Sequence, residues 1–277
     1  MKYKVKQYLM FAGVSTVLFS AVVILPFIYG LYLTFTSWDG VSKDKPFVGL
    51  ANYIATFQDA AYWQALGRTL IYSVIAVILV NVVAFFLAYL LTSGIKGQNF
   101  FRAGFFVPNL IGGIVLGYVW KFVFNRAFVS LGKSLSVGAL STSWLATTNG
   151  AMACLIIVSV WQYAGYMMLI YVAGFMSVSK SLMEAAQIDG CTPNQMFWRI
   201  TIPLIRPLLV YTLITSLIGG LQMFDVPQVL TNGKGDPNGT TNTIIMYLNQ
   251  HLYSKNYGTA GAISVLMFLL CAVLCVI

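Results

Sequence analysis

Few side chains in this 277-residue sequence could carry acid–base, nucleophilic or metal chemistry. His251 is the only histidine and Glu184 the only glutamate, while Cys154, Cys191, Cys271 and Cys275 follow no ligand or redox spacing. No carboxylate pair, histidine cluster or G-x-S-x-G elbow occurs, so the expectation is no catalytic residue, no metal and no enzyme. Residues 127–134 fit the loose form of a phosphate-binding loop, but that loop needs a strand before it and a helix after it, and here it lies between two apolar runs. What remains is hydrogen bonding. Ser159, Gln162, Tyr163 and Tyr166 recur at i, i+3, i+4 and i+7, one face of a helix. Hydroxyls and an amide beside aromatic rings suit a sugar, whose O–H groups bond while its C–H faces cover the rings. The same face serves equally well to bond helix to helix. Thr215, Ser216, Gly219, Gly220 and Gln222 form a second polar, small-residue patch, with the glycines allowing close approach by a sugar or another helix. Asp225 is the only acid near that patch, and its role stays open.

The elements that must position these groups follow from composition. The chain is 59% hydrophobic and 8% charged, and its mean hydropathy is +0.81. Soluble domains are about 25% charged, so the chain reads as all-α and multi-spanning, with lipid as its solvent. Its net charge of +9 is scattered among apolar runs rather than gathered into a stripe, which sets nucleic acid aside. Six spans are expected, at about 8–35 (with a kink at Pro26), 69–91, 103–120, 151–176, 204–221 with an extension to 230 open, and 259–277. Each is near the ~20 residues that cross a bilayer. Lys2, Lys4 and Lys6 favour a cytoplasmic N-terminus, although the positive-inside bias elsewhere is weak. None of the six expected spans holds an Asp or Glu, which disfavours a proton-coupled secondary transporter, and the path reads as neutral and aromatic. The sixth span reaches the last residue with no polar tail, as a truncated end would.

Between the fourth and fifth spans, residues 181–203 predict two short helices around a turn. Ser181 to Glu184 has the S-x-x-E form of a capping box, so a helix should start near Leu182. Gly190 suits the left-handed residue that ends it. Thr192 to Gln195 forms a second capping box with Pro193 at the first helical position, and Pro203 marks the start of the fifth span. From the residues alone, this elbow either docks into another protein or lies as an amphipathic connector on the lipid surface.

Glu184, Ala185, Ala186, Gly190, Ile200 and Pro203 stand at the spacing of the EAA loop, and by this the chain resembles the permeases of ABC importers; Ile202 stands where leucine is usual. Asp189-Gly190, Gln195, Phe197 and Pro207 are similar to the carbohydrate-uptake branch, with Cys191 in place of its common alanine. The segment at residues 47–53 after Ser37-Trp38-Asp39-Gly40, together with Phe224-Asp225, resembles the maltose-type first permease subunit. Gly67-Arg68-Thr69 departs from that pattern. The resemblance implies one transmembrane domain over residues 1–277, importing a sugar or oligosaccharide through the bacterial cytoplasmic membrane by alternating access. It implies that Glu184, Ala185, Ala186, Asp189 and Gly190 couple to a cytoplasmic ATPase, and that Ser159, Gln162, Tyr163, Tyr166, Ser216, Gly219 and Gly220 line the substrate path. The partners it implies are a second related permease, two ATPase subunits that use the ATP and Mg, an extracellular sugar-binding protein and membrane lipid; the chain itself would need no cofactor. A polyamine or glycerol-phosphate-like cargo is the nearer alternative, and an ion-coupled secondary transporter the more distant one.

Overall fold

The computed structural model describes residues 9–276. Lys2, Lys4, Lys6, the expected start of the first span at Tyr8 and the last residue, Ile277, lie outside them. In chain order the helices are α1 (Phe11–Leu33), α2 (Ala51–Gln58), α3 (Ala60–Thr92), α4 (Gln98–Phe106), α5 (Gly113–Ser134), α6 (Thr148–Ser177), α7 (Lys180–Ile188), α8 (Pro193–Met196), α9 (Ile202–Leu221), α10 (Asp225–Leu230), α11 (Ile244–Tyr253) and α12 (Tyr257–Val276). Among the described residues there is no strand, only an isolated bridge between Thr36 and Phe47. Among the described residues, six stretches are long and apolar enough to cross a membrane: α1, α3, α5, α6, the run Pro193–Leu230 and α12. This all-α set of six matches the sequence expectation, with one span displaced.

The displaced span is the third. Residues 103–120 are not one helix: α4 ends at Phe106, a 3₁₀ turn covers Val107–Leu110, and Ile111 and Gly112 are extended before α5 begins. Pro108 supplies no N–H, and Gly112-Gly113 favours a break, so the apolar run splits there. The apolar helix is therefore Gly113–Ser134, and Lys121, Arg126 and Lys133 ride on it rather than in a following loop. The loop-like motif at residues 127–134 is helical too, so it offers no phosphate cradle. His251 belongs to a helix, α11, between the fifth and sixth spans.

Two prolines lie inside spanning helices just after a widened π turn. Ser20–Ile24 precedes Pro26, and Phe197–Thr201 precedes Pro203. Proline removes an N–H and pushes on the carbonyl four residues back, and widening the preceding turn moves that carbonyl away. The expected second short helix of the elbow therefore does not stop at Pro203. It runs from α8 through the π turn straight into α9.

The chain divides into two compact units, one comprising Met1–Trp63 with Tyr247–Ile277 and the other Gln64–Met246. In the first, Phe27 of α1 meets Phe268 of α12 with ring centroids 5.6 Å apart. Asn52 of α2 donates to the carbonyls of Thr34 and Thr36 at 2.7 and 2.9 Å, which fastens the chain leaving α1. Asp59 accepts from the Tyr247 hydroxyl and from the Ala61 amide, and Tyr247 packs edge-on against His251. In the second unit, α3 presents Ala76, Val80, Ala84 and Ala88, one residue per turn and all buried. Lipid tails are as apolar as leucine, so small side chains that permit close backbone packing hold such helices together. Gly165 of α6 is the extreme case, lying directly against the Phe105 carbonyl of α4.

Candidate functional site

The elbow is shaped by local backbone chemistry. α7 begins at Lys180 with Ser179 before it, and the Ser179 and Ser181 hydroxyls pair with each other at 2.6 Å. The expected Ser181–Glu184 box does not form, because the helix starts two residues earlier and leaves Ser181 inside its first turn. The other end follows expectation. Gly190 has φ +80°, its N–H donates to the Gln187 carbonyl at 3.0 Å, and the Cys191 N–H donates to the Ala186 carbonyl at 2.9 Å. These two bonds make a Schellman motif, which satisfies carbonyls that the ending helix would leave free. Thr192 and Gln195 then cap α8 reciprocally, with Pro193 in its first turn. Ala186 is buried, whereas Glu184, Ala185, Asp189 and Gly190 are exposed and Ile188 is 87% exposed.

The polar face of α6 turns inward, where it meets α3 and α9. A cavity of about 210 Å³ is lined by Ser159, Tyr163 and Tyr166 of α6, by Ser216, Gly219 and Gly220 of α9, and by residues of other helices including Tyr72 and Asn109. A second, more polar cavity of about 240 Å³ shares Tyr163 and Gly219 with it and adds Gln162, Gln222 and Asp225. All seven residues expected in the path thus line two adjoining cavities, whose combined size falls within the roughly 300–1,000 Å³ of small-ligand sites.

Several of these groups are already engaged between helices. Ser159 Oγ donates to the Leu155 carbonyl at 2.8 Å and meets the Tyr72 hydroxyl at 2.6 Å. Ser216 Oγ donates to the Thr212 carbonyl at 2.6 Å and accepts from Asn81 Nδ2 at 2.8 Å. The Tyr171 hydroxyl bonds Asn81 Oδ1 and Thr212 Oγ1, each at 2.6 Å, closing a polar knot among α3, α6 and α9. Ser159 and Ser216 therefore bond helix to helix as well as facing the cavity. Gln162 differs: its Nε2 donates to the Ile111 carbonyl at 3.3 Å, but its buried Oε1 has no protein partner. Tyr163 and Tyr166 are half-buried, with their rings on the cavity wall.

Sequence reasoning missed Tyr72 and Asn109, and it left open the role of Asp225, which the structure places in the lining of the second cavity. α9 stops at Leu221, and the chain turns through residues 222–224 before α10 packs on α5. That reversal brings Asp225 against Gly113, where a β-carbon would lie 2.7 Å from Asp225 Cβ. The only available signal was one acid next to a polar patch. Two larger grooves, of about 770 and 800 Å³, are lined mainly by apolar side chains such as Phe101 and Trp161 in one and Phe86 and Trp198 in the other, with Asn81 and Asn194 also in the second. They suit hydrocarbon or another helix rather than a polar solute.

Residues 87–277 match the family described as the binding-protein-dependent transport system inner membrane component. The chain belongs to this family. It is thus a multi-pass membrane permease rather than an enzyme, and the matched region contains the elbow, α6 and α9. Among curated members, the probable starch degradation products transport system permease protein AmyD of Thermoanaerobacterium thermosulfurigenes is 37% identical, covering 98% of this chain and 91% of that one. The multiple sugar-binding transport system permease protein MsmF of Streptococcus mutans is 33% identical over 91% of this chain and 87% of its own. The fold is also that of a bacterial ABC transporter involved in the import of the acidic polysaccharide alginate, with a TM-score of 0.81 and 21% identity over 99% of this chain and 94% of that one. Within the family frame, Arg68 has a structural task. Its Nη1 donates to the Gly239 carbonyl at 2.7 Å and ties the turn-rich loop after α10 to α3.

Proposed function

We propose that this chain is one permease subunit of an ATP-driven importer that carries a sugar or oligosaccharide across the bacterial cytoplasmic membrane, with its N-terminus on the cytoplasmic side. In this reading it acts as a single transmembrane domain. It pairs with a second related permease, two ATPase subunits that consume the ATP and Mg, and an extracellular sugar-binding protein. The observation that carries the proposal is mechanical. The helix that begins at the elbow is the same one that ends at the cavity, since Pro193–Leu221 is continuous through its π turn. At 1.5 Å per residue it is a lever of roughly 40 Å. A push on Glu184, Ala185, Asp189 and Ile188 is passed by Gly190 and α8 to Ser216, Gly219 and Gly220. This is alternating access around a buried site. The cargo class draws support from relatives named for sugars and from hydroxyl and amide groups interleaved with Tyr72, Tyr163 and Tyr166.

A phosphate ester is the second reading, because the sn-glycerol-3-phosphate transport system permease protein UgpA of Agrobacterium fabrum is 29% identical over 87% of this chain. Neither cavity has a Lys or Arg in its lining, which disfavours an anion. Membrane vesicles holding the full complex test the mechanism. Uptake should require ATP and stop with vanadate, whereas uptake driven by an ion gradient alone would refute it. Gly190→Pro should abolish uptake while the protein still reaches the membrane, because proline can adopt neither φ +80° nor the donor role to Gln187. Normal uptake by that variant would remove the coupling role.

A further inference from the structure

We propose that Asp225 makes the polar cavity selective for neutral, hydroxyl-donating sugars over uronates. The inference rests on the sugar reading above and deepens it. The fold does not set cargo charge, since a permease of the same fold belongs to an importer of acidic alginate. Within the permease itself, charge selection therefore has to come from the lining. Four polar side chains line this cavity, Gln162, Tyr163, Gln222 and Asp225, and Asp225 is the one that carries a carboxylate. Gln162 is 5% exposed and its Oε1 has no partner. Asp225, an exposed residue at the cavity's rim, opens α10, and its side chain lies against the first residue of α5, where a β-carbon would clash with it. Of the bases on α5, the one nearest Gly113 in the chain, Lys121, is turned to the Val229 carbonyl and to Asn232 at the other end of the packed pair, and Arg126 and Lys133 follow it along the helix. No Lys or Arg is among the lining residues.

A wall that carries a carboxylate and neither Lys nor Arg rewards a ligand that brings donors. A hydroxyl donating to an ionised carboxylate makes a stronger, charge-assisted bond. A uronate offers a carboxylate in place of one hydroxymethyl group, so it loses a donor and sets like charges side by side. Selection by repulsion of the wrong ligand is a general route to specificity.

The test uses the assembled complex in lipid nanodiscs without the binding protein, so that the permease alone does the selecting. Neutral gluco-, galacto- and manno-trisaccharides and the matched triuronates are titrated by equilibrium dialysis. The wild type should prefer the neutral member. Asp225→Asn should raise the uronate-to-neutral affinity ratio about tenfold, equivalent to roughly 1.4 kcal/mol, and Asp225→Ser should move it the same way. Gln162→Glu, which adds a second carboxylate while keeping Asp225, should lower the ratio by about as much. Ratios unchanged within threefold in these variants overturn the role of Asp225 and leave the sugar reading intact. A wild-type complex that binds none of the sugars overturns the sugar reading itself.

Discussion

Gly165 decides how closely α4 can lie against α6. A β-carbon there would fall 1.7 Å from the Phe105 carbonyl oxygen and 2.4 Å from its carbon. Both are backbone atoms, so no change of rotamer relieves the clash. Non-bonded heavy atoms rest at roughly 3.5 Å, so Gly165→Ala should open the crossing by roughly 1.8 Å or bend one helix by as much. Overpacking of this kind costs about 1–3 kcal/mol. Alanine also favours helix over glycine by about 1 kcal/mol, which would mask part of the loss. Gly104 supplies the control: it lies in α4, and a β-carbon there meets nothing within 4 Å. The helix preference is common to both variants, so the difference between Gly165→Ala and Gly104→Ala isolates the clash. Purified protein in detergent micelles is titrated with SDS and unfolding is followed by circular dichroism. Gly165→Ala should be less stable than Gly104→Ala by about 1–3 kcal/mol. Equal stabilities, or the reverse order, would refute the claim that this glycine sets the α4–α6 distance.

Three further outcomes follow from the same geometry. Tyr171→Phe removes hydroxyl bonds to Asn81 and Thr212; such interhelical bonds average about 0.6 kcal/mol in lipid, so the same titration should show a loss of about 1 kcal/mol, and no loss would mean the polar knot is idle. Thr192→Ala removes half of the reciprocal cap on α8 and should cost about 1 kcal/mol, seen as faster hydrogen exchange at the Gln195 and Met196 amides while α7 is unaffected. The third concerns pH. Burial lowers the His251 pKa, and the nearby Asp59 carboxylate only partly opposes it. A group whose folded pKa is lowered contributes stability above its unfolded pKa, here about 6.5, and that stability is lost as pH falls through the folded value. Acidification from pH 7 should therefore loosen the contacts of α11, and His251→Gln should remove that dependence. Asp59 is shifted down mainly by the Tyr247 hydroxyl, then by the Ala61 amide, so its contribution disappears only below about pH 3.9. A His251→Gln profile identical to wild type between pH 5 and 7 would refute the assignment.

The elbow was legible wherever its signal is a backbone preference. Gly190 in the left-handed region and the Thr192–Gln195 cap each depend on residues within five positions of one another, and both are present. The Ser181–Glu184 box failed because it shares a pattern with a helix that simply starts earlier, at Lys180. The inward face of α6 was legible from its 3.6-residue period, since a bilayer makes exposed polarity wasteful.

Six apolar spans, the turn at Gly190 and the polar stripe from Ser159 to Tyr166 were determined by the sequence by itself, because each follows from composition, local dihedrals or helical period. The tertiary structure decided which helices that stripe meets, that Tyr72 and Asn109 complete its cavity, and that Asp225 returns beside Gly113 to put a charge on its wall. It also decided that the third span begins at Gly113 and that Gly165 lies on the Phe105 carbonyl. The physical reason is the solvent. In lipid every apolar face is equally at ease, so hydrophobic pattern does not distinguish a face that packs on protein from one that packs on hydrocarbon. That choice falls to close backbone contact and to hydrogen bonds between helices far apart in the chain.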